Sequence, residues 1–360
     1  MFDFIPVEYY TPLFYNIILL LVLFTVIKLI TTGYIILNPL KKEYTSLPLF
    51  LIVTLYIGLR PIHEIFPDMP GYNYFFELFA AGGEVMERRD LLWNYFIKFC
   101  SGFMNAHSFF LVCAFLYVTP IYVACKKWLG RDHYFLLLMF IASFSFWAAG
   151  TNGIRNGIAT SLFILGISFT KNKYMQYIVI TISFFIHGSM IIPISAYILS
   201  FFYKNSKYYL MGWLVAIALS LLLGGFWENF ITSLGYEDNR LQYLTMEGFD
   251  DQFSSIGFRW DFLLYSSSAI FAGYYFIIKK KFNDTIYIQL FNIYVTANAF
   301  WILVIRASFS NRFAYLSWFL MAVIIFYPFF KKQFFKKQQK VLAYSILIYF
   351  GFTYFMFLIK

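Results

Sequence analysis

The chain has 360 residues, 61% of them hydrophobic and only 13% charged, a balance that excludes an ordinary soluble domain. A formal net charge of +10 would hint at nucleic acid in a soluble protein. In a chain this apolar the placement of charge says more than its sum, and no nucleic-acid partner is expected.

The N-terminal MFDFIPVEYYTP carries Asp3 and Glu8 but no early Lys or Arg. It lacks the basic region of a cleavable signal peptide, so the first apolar run is expected to stay. Apolar runs long enough for a hydrocarbon core about 30 Å thick recur from there to the end. They predict an all-α, polytopic membrane protein, a single integral membrane domain over 1–360. The twelve predicted spans are 13–30, 46–59, 106–124, 134–149, 156–170, 174–187, 189–203, 208–226, 260–278, 285–305, 313–330 and 341–358. Two outer connections, 60–105 and 227–259, are long and hold most of the carboxylates. Within the first, LLWNYFIKF (91–99) reads as an interfacial helix, with Trp93, Tyr95 and Lys98 at the headgroup level.

Lysine and arginine segregate along these spans. Lys28, Lys41 and Lys42 follow the first span, and KKWLGRDH (126–133), KNK (171–173), KNSK (204–207), KKK (279–281) and KKQFFKKQQK (331–340) follow later odd-numbered ones. By the positive-inside rule those connections face the cytoplasm and both termini lie outside. Arg60, Arg88, Arg89, Arg155, Arg240, Arg259, Arg306 and Arg312 fall on the opposite side, with only Arg131 inside. Either cation anchors a cytoplasmic loop equally well, so arginine outside implies a use for its bidentate, permanently charged fork, which suits an oxyanion. Cys100, Cys113 and Cys125 show no short ligand spacing and read as packing residues.

In chain order, YIGLRPIHEIFPDMPGYNYF holds Arg60, His63, Glu64, Asp68 and Tyr72, with Pro61, Pro67 and Pro70 expected to prevent a regular helix. The spacing has no metal-motif specificity, and no metal or other cofactor is expected. Asp68 is the candidate for accepting a sugar hydroxyl proton or orienting the sugar. In GTNGIRNGIA (150–159), Asn152 is the expected N-cap and Arg155 falls in the first helical turn, where the helix dipole disfavours a cation. Either the helix N-terminus and Arg155 hold a phosphate, with Asn152 and Asn156 beside it, or Arg155 pairs with a loop carboxylate and fixes the helix end. His187 ends an apolar helix with Gly188 in the expected C-cap position. An ionisable group at membrane depth is a functional candidate, although such a histidine can equally be hydrogen-bonded structure. Arg259 precedes Asp261, which can cap the helix start with it or hold its guanidinium in place. Arg306 and Arg312 bracket one outer turn, with Ser308, Ser310 and Asn311 as caps.

GLR followed by Asp68 and Tyr72, NGIRNGIA, HGSMIIP, GFRWDFLLYS and NRFAYLSWFLM stand in order between residues 58 and 321. In this the chain resembles the EpsG family of Wzy-type polysaccharide polymerases. One departure is a longer segment between Arg60 and Asp68, with extra prolines. The resemblance implies a fold of the GT-C kind and a glycosyltransferase. It would polymerise undecaprenyl-pyrophosphate-linked oligosaccharide repeats, as donor and acceptor, at the outer face of the bacterial inner membrane. A chain-length regulator and a flippase of the same pathway are the implied partners, beside membrane lipids. On this expectation Arg155, Arg306 and Arg312, completed by Arg60 or Arg259, clamp the donor pyrophosphate. His187 or Asp68 serves the attacking hydroxyl, and Asn152, Asn156, Tyr72, Asp261 and Asn311 orient substrate. A polysaccharide ligase would need the same clamp, whereas a flippase would place polar groups near the bilayer midplane. A membrane acyltransferase finds support only in His187.

Overall fold

The computed structural model describes residues 4–31, 46–85, 90–227, 257–306 and 310–359. Among these residues the regular elements are all helical. Hydrocarbon offers no partner for a free N–H or C=O, and a helix satisfies its own backbone. The helices are α1 (Tyr10–Thr31), α2 (Leu47–Gly58), α3 (Asp68–Ala80), α4 (Leu91–Ser101), α5 (Ala106–Leu129), α6 (His133–Ile141), α7 (Phe146–Thr151) and α8 (Ile154–Ser168). There follow α9 (Lys173–Ile186), α10 (Ile191–Phe202), α11 (Ser206–Leu223), α12 (Trp260–Tyr274), α13 (Thr285–Leu303), α14 (Asn311–Trp318), α15 (Met321–Phe326) and α16 (Gln338–Leu358). The chain divides into two compact units, Met1–Met190 with Phe326–Lys360, and Ile191–Ile325.

Seven helical stretches among the described residues are long and apolar enough to cross a bilayer, and four shorter apolar helices accompany them, Leu47–Gly58, Ile154–Ser168, Lys173–Ile186 and Gly188–Phe202. Each of the twelve predicted runs is helical, but not each is one spanning rod. A 12-residue helix is only about 18 Å long, well short of the core. The run 134–149 is split into α6 and α7 by a bend at 142–145. The stretch Ala106–Ile141 turns back on itself instead of running straight. Gly130 takes φ +53°, which glycine adopts without strain, and His133 at the start of α6 meets the Tyr122 ring of α5 edge-on. Large apolar side chains such as Leu222, Ile348 and Phe185 point outward, as a lipid-facing surface requires.

In the first unit, α8 packs on both α5 and α9. Gly166 makes the second contact possible, because a Cβ there would press on the Ile180 side chain and lie 3.2 Å from its backbone nitrogen. At the other end of α8 a Cβ on Gly157 would run into the carbonyl of Ala149, so glycine lets the chain fold tightly from α7 into α8. α1 pairs with α16, where Tyr354 donates to Asn16 Oδ1 at 2.8 Å.

The lysine connections of this unit converge. Lys127 Nζ sits 4.2 Å from the Phe169 ring centre, and Lys331 Nζ donates to the Trp128 carbonyl at 2.6 Å. These groups gather at the C-terminal end of α8. Arg155 is at the N-terminal end, about 20 Å away along the helix. The segregation seen in sequence is therefore a separation in space within this unit.

Two expectations for the first long connection need correction. Pro67 and Pro70 do not prevent a helix: α3 begins at Asp68 and takes Pro70 into its first turn, where a missing N–H costs nothing. The segment 60–67 before it is irregular, as expected. α4 is the expected amphipathic helix, but Trp93 is buried against Tyr72, Phe96 and Phe109. Leu91, Leu92, Tyr95 and Phe99 form its exposed face instead.

The second unit is tied by buried hydrogen bonds. Trp213 Nε1 donates to Asn298 Oδ1 at 2.8 Å, and Asn298 Nδ2 donates to Ser317 Oγ at 3.1 Å. Trp318 Nε1 donates to Ser266 Oγ at 2.6 Å, and the Tyr294 hydroxyl to the Ser266 carbonyl at 2.8 Å. These bonds connect α11, α13, α14 and α12 without exposing a polar group to lipid. Replacing Asn298 by Ala breaks two of them and orphans the Trp213 N–H. The expected cost is roughly 0.5–2 kcal/mol, read as a lower melting temperature in detergent, and an unchanged melt would contradict the assigned role.

Candidate functional site

In the first unit Asn152 lies between α7 and α8, and Arg155 and Asn156 lie in the first turn of α8. The N-cap position of α8 belongs to Gly153, which makes no side-chain cap bond, and not to Asn152 as expected. Arg155 is the second helical residue, so its cation does face the positive end of the dipole. The compensating anion is Asp90, whose Oδ2 lies 2.9 Å from Arg155 Nη1. The loop-carboxylate alternative thus describes this structure. Neither side chain is sealed away, at 25% and 14% exposure.

Asp90 makes a second contact. Its Oδ1 accepts the Gly188 N–H at 2.9 Å, directly after His187. Asp90 stands at the N-cap position of α4 in the left-handed region, φ 46° and ψ 45°, and does not cap its own helix. Asp tolerates this conformation better than most residues, and it turns the carboxylate toward α8 and α9. One side chain thereby joins the start of α4, the first turn of α8 and the end of α9. Asp90 is one of the carboxylates of the first long connection, 60–105, and nothing in its local pattern marks this role. The only available signal was that a cation in a first helical turn demands an anion.

His187 is buried. It leaves α9 in extended conformation, φ −149° and ψ 113°, and Gly188 opens a short 3-10 turn, Gly188–Met190, instead of forming a left-handed cap. His187 Nδ1 accepts the Ser189 N–H at 3.1 Å and lies 2.8 Å from Ser189 Oγ. A ring nitrogen that accepts from a backbone N–H carries no proton itself, so the neutral ring bears its hydrogen on Nε2. The side-chain oxygens of Asn152 and Asn156 are buried and find no hydrogen-bond partner among the described residues. Two buried acceptors beside one arginine are unusual, since such groups are normally satisfied.

Arg60 belongs to the same end of this unit but is not an open ligand. It is 2% exposed. Its guanidinium donates to the carbonyls of Ile57 and Thr151, and it lies over the rings of Phe66 and Phe110. Burial lowers its pKa to about 10, so it stays charged at neutral pH. No carboxylate among the described residues pairs with it. The fork ties the end of α2 to the end of α7, immediately before Asn152. Asp68 and Tyr72 sit one turn apart on α3, and the Tyr72 ring meets Trp93 at 5.3 Å, three residues along α4 from Asp90.

The second unit holds the remaining arginines. Arg259 occupies the N-cap position of α12 and pairs bidentately with Asp261, Nε to Oδ1 at 2.9 Å and Nη2 to Oδ2 at 2.6 Å. Its guanidinium also stacks 3.7 Å from the Phe262 ring centre. Arg306 lies 5.5 Å over Phe258, the residue before Arg259. Arg306 Nε is buried without a hydrogen-bond partner. Arg312 is the second residue of α14, and Ser310 at its N-cap position makes no cap bond there. The Ser310 hydroxyl donates instead to the Ile305 carbonyl at 3.0 Å. Asn311 opens α14, and Ser308 lies outside the described residues.

Among the described residues no three His, Cys, Asp or Glu side chains are grouped to hold a metal ion. A model of the EpsG family matches residues 43–360. No curated protein and no solved structure matches the chain.

Two substitutions separate structural from exposed cations here. Arg60→Lys removes a fork that bridges two carbonyls between two rings and is expected to cost about 1–3 kcal/mol of stability. Asp90→Asn keeps an acceptor for Gly188 and breaks only a partly exposed ion pair, so about 1 kcal/mol or less is expected. Thermal melts in detergent report both, and equal losses would show that the two sites are not distinguished in this way.

Proposed function

We propose that this chain, which belongs to the EpsG family, is a glycosyltransferase that polymerises undecaprenyl-pyrophosphate-linked oligosaccharide repeats at the outer face of the bacterial inner membrane. The family is associated with polysaccharide biosynthesis. The observation that carries the proposal is the group formed by Arg155, Asp90 and the His187–Gly188 turn. Cationic, anionic and hydrogen-bonding groups meet at the N-terminal end of α8, opposite the end where Lys127 and Lys331 gather.

Roles follow from the chemistry each group has available. Arg155 in the first unit and Arg306 and Arg312 in the second are the guanidinium groups assigned to phosphate oxygens, which their forked donors suit. Arg60 and Arg259 are positioning residues, because carbonyls and rings hold the first and Asp261 the second. The donor diphosphate competes with Asp90 for Arg155. Buried Asn152 and Asn156 oxygens accept from sugar hydroxyl groups, which would meet an otherwise unsatisfied need. In the first unit Tyr72 offers a ring face, and in the second Asn311 offers an amide.

In the reaction an acceptor hydroxyl oxygen bonds to the donor anomeric carbon as the bond from that carbon to the phosphate oxygen breaks. The electron pair leaves with the lipid diphosphate, whose charge fixed guanidinium groups stabilise. The hydroxyl proton passes to a base. With hydrogen on Nε2 and Nδ1 already engaged, His187 is suited to donate a hydrogen bond, which leaves the carboxylate of Asp68 as the base. No step draws on a metal or cofactor.

Single substitutions of Arg155, Arg306 and Arg312 by Ala are expected to lower polymer formation by about 10²–10³-fold each, measured as chain length in cells and with purified lipid-linked substrate. Normal lengths from correctly inserted protein would remove the assignment. His187→Gln keeps a donor and should retain much more activity than His187→Ala. Equal loss in both would instead point to the imidazole as the base.

A further inference from the structure

The second unit contains a long apolar groove with a volume of about 700 Å³, within the roughly 300–1,000 Å³ typical of small-molecule sites. α10, α11 and α13 line it, from Tyr203 and Tyr208 at one end to Leu219, Phe300 and Leu303 at the other. It extends about 17 Å along α11, the rise from Tyr208 to Leu219. Thr296 and the tyrosine hydroxyls are its polar groups. Thr296 Oγ1 already donates to the Asn292 carbonyl, and the Tyr209 hydroxyl donates to the Tyr203 carbonyl at 2.6 Å. That bond ties α11 to the chain just beyond α10. Met211, Leu214 and Leu222 of α11 are exposed, so the helix presents an apolar surface to the bilayer and an occupant can enter sideways from lipid.

The charge at the far end selects the occupant. Leu303 is three residues before Arg306, which among the described residues has no carboxylate partner and whose Nε is buried without a hydrogen bond. A long apolar slot whose lining ends three residues along the chain from such a cation matches a molecule with a hydrocarbon chain and a phosphate end. A second protein helix would satisfy the slot but not the arginine.

We propose that this groove holds the isoprenoid chain of the lipid-linked donor, with its diphosphate against Arg306. This rests on the polymerase reading, since it names where that reaction's lipid carrier binds. Gly212 lines the groove, and a Cβ there would meet nothing within 4 Å, so a large side chain can fill the slot without displacing the backbone. Gly351 on α16 has the same open surroundings outside the groove.

The test uses the full chain in phospholipid nanodiscs and a diazirine-bearing isoprenoid diphosphate without sugar. The label is expected on peptides of α11 and α13, and an excess of unlabelled isoprenoid diphosphate should displace it. Gly212→Trp should reduce it about tenfold, equivalent to about 1.4 kcal/mol, while Gly351→Trp leaves it unchanged. Arg306→Ala should remove the preference for the diphosphate over the corresponding isoprenoid alcohol. Label mapped elsewhere on the wild-type chain overturns the proposal, and so does label lost equally to excess phosphatidylglycerol, the mark of an ordinary boundary lipid. Because the readout is binding, it can fail while polymer synthesis by the wild type stands, or succeed on a protein that polymerises nothing.

Discussion

Hydrocarbon supplies no hydrogen bonds and solvates no charge, and the architecture follows from that constraint. The backbone closes on itself in helices. Polar side chains inside the units bond across helices, as Asn298 and Ser266 do. Ionised groups move to helix ends, where a carbonyl, a ring or an opposite charge can receive them. Arg60 illustrates the limit of what burial tolerates: among the described residues no carboxylate pairs with it, and two carbonyls and two aromatic rings share the charge.

Asp90 is where this constraint becomes chemistry. A cation in the first turn of α8 is unfavourable for the helix dipole, and the fold compensates it with a carboxylate from another helix. The same carboxylate fixes the turn that orients His187. The pair is partly exposed, so an anion from outside can compete for the guanidinium. A fully buried pair would exclude that exchange, because breaking it would strand a charge. The neighbouring Asn152 and Asn156 oxygens extend the polar surface toward hydroxyl donors.

The second unit distributes its arginines differently. Arg259 is consumed by Asp261 and by stacking on Phe262, which makes it rigid and lowers its value as a ligand. Among the described residues Arg306 meets the Phe258 ring and no carboxylate, and it follows the groove residue Leu303 by three positions. One position is thus held and the other available, although both look alike as letters in a sequence.

Composition and hydropathy alone determined that the chain is helical and membrane-embedded, and the alternation of lysine and arginine connections matches the placement of Lys127 and Lys331 at the end of α8 away from Arg155. Those properties are sums over many residues and depend little on partners. Sequence also placed Arg155 in a first helical turn and recognised that it needed an anion. It could not say which anion, because Asp90 is 65 positions away and reaches Arg155 only through the packing of α4 against α9. Proline spacing misled for α3, since proline disrupts a helix interior but is tolerated in a first turn, and local pattern does not show where the turn begins. Which arginine is buried, which is paired and which is left beside a groove was decided by tertiary structure alone. Carboxylates, carbonyls and rings compete for a guanidinium at distances of a few ångströms, and only the folded chain sets those distances.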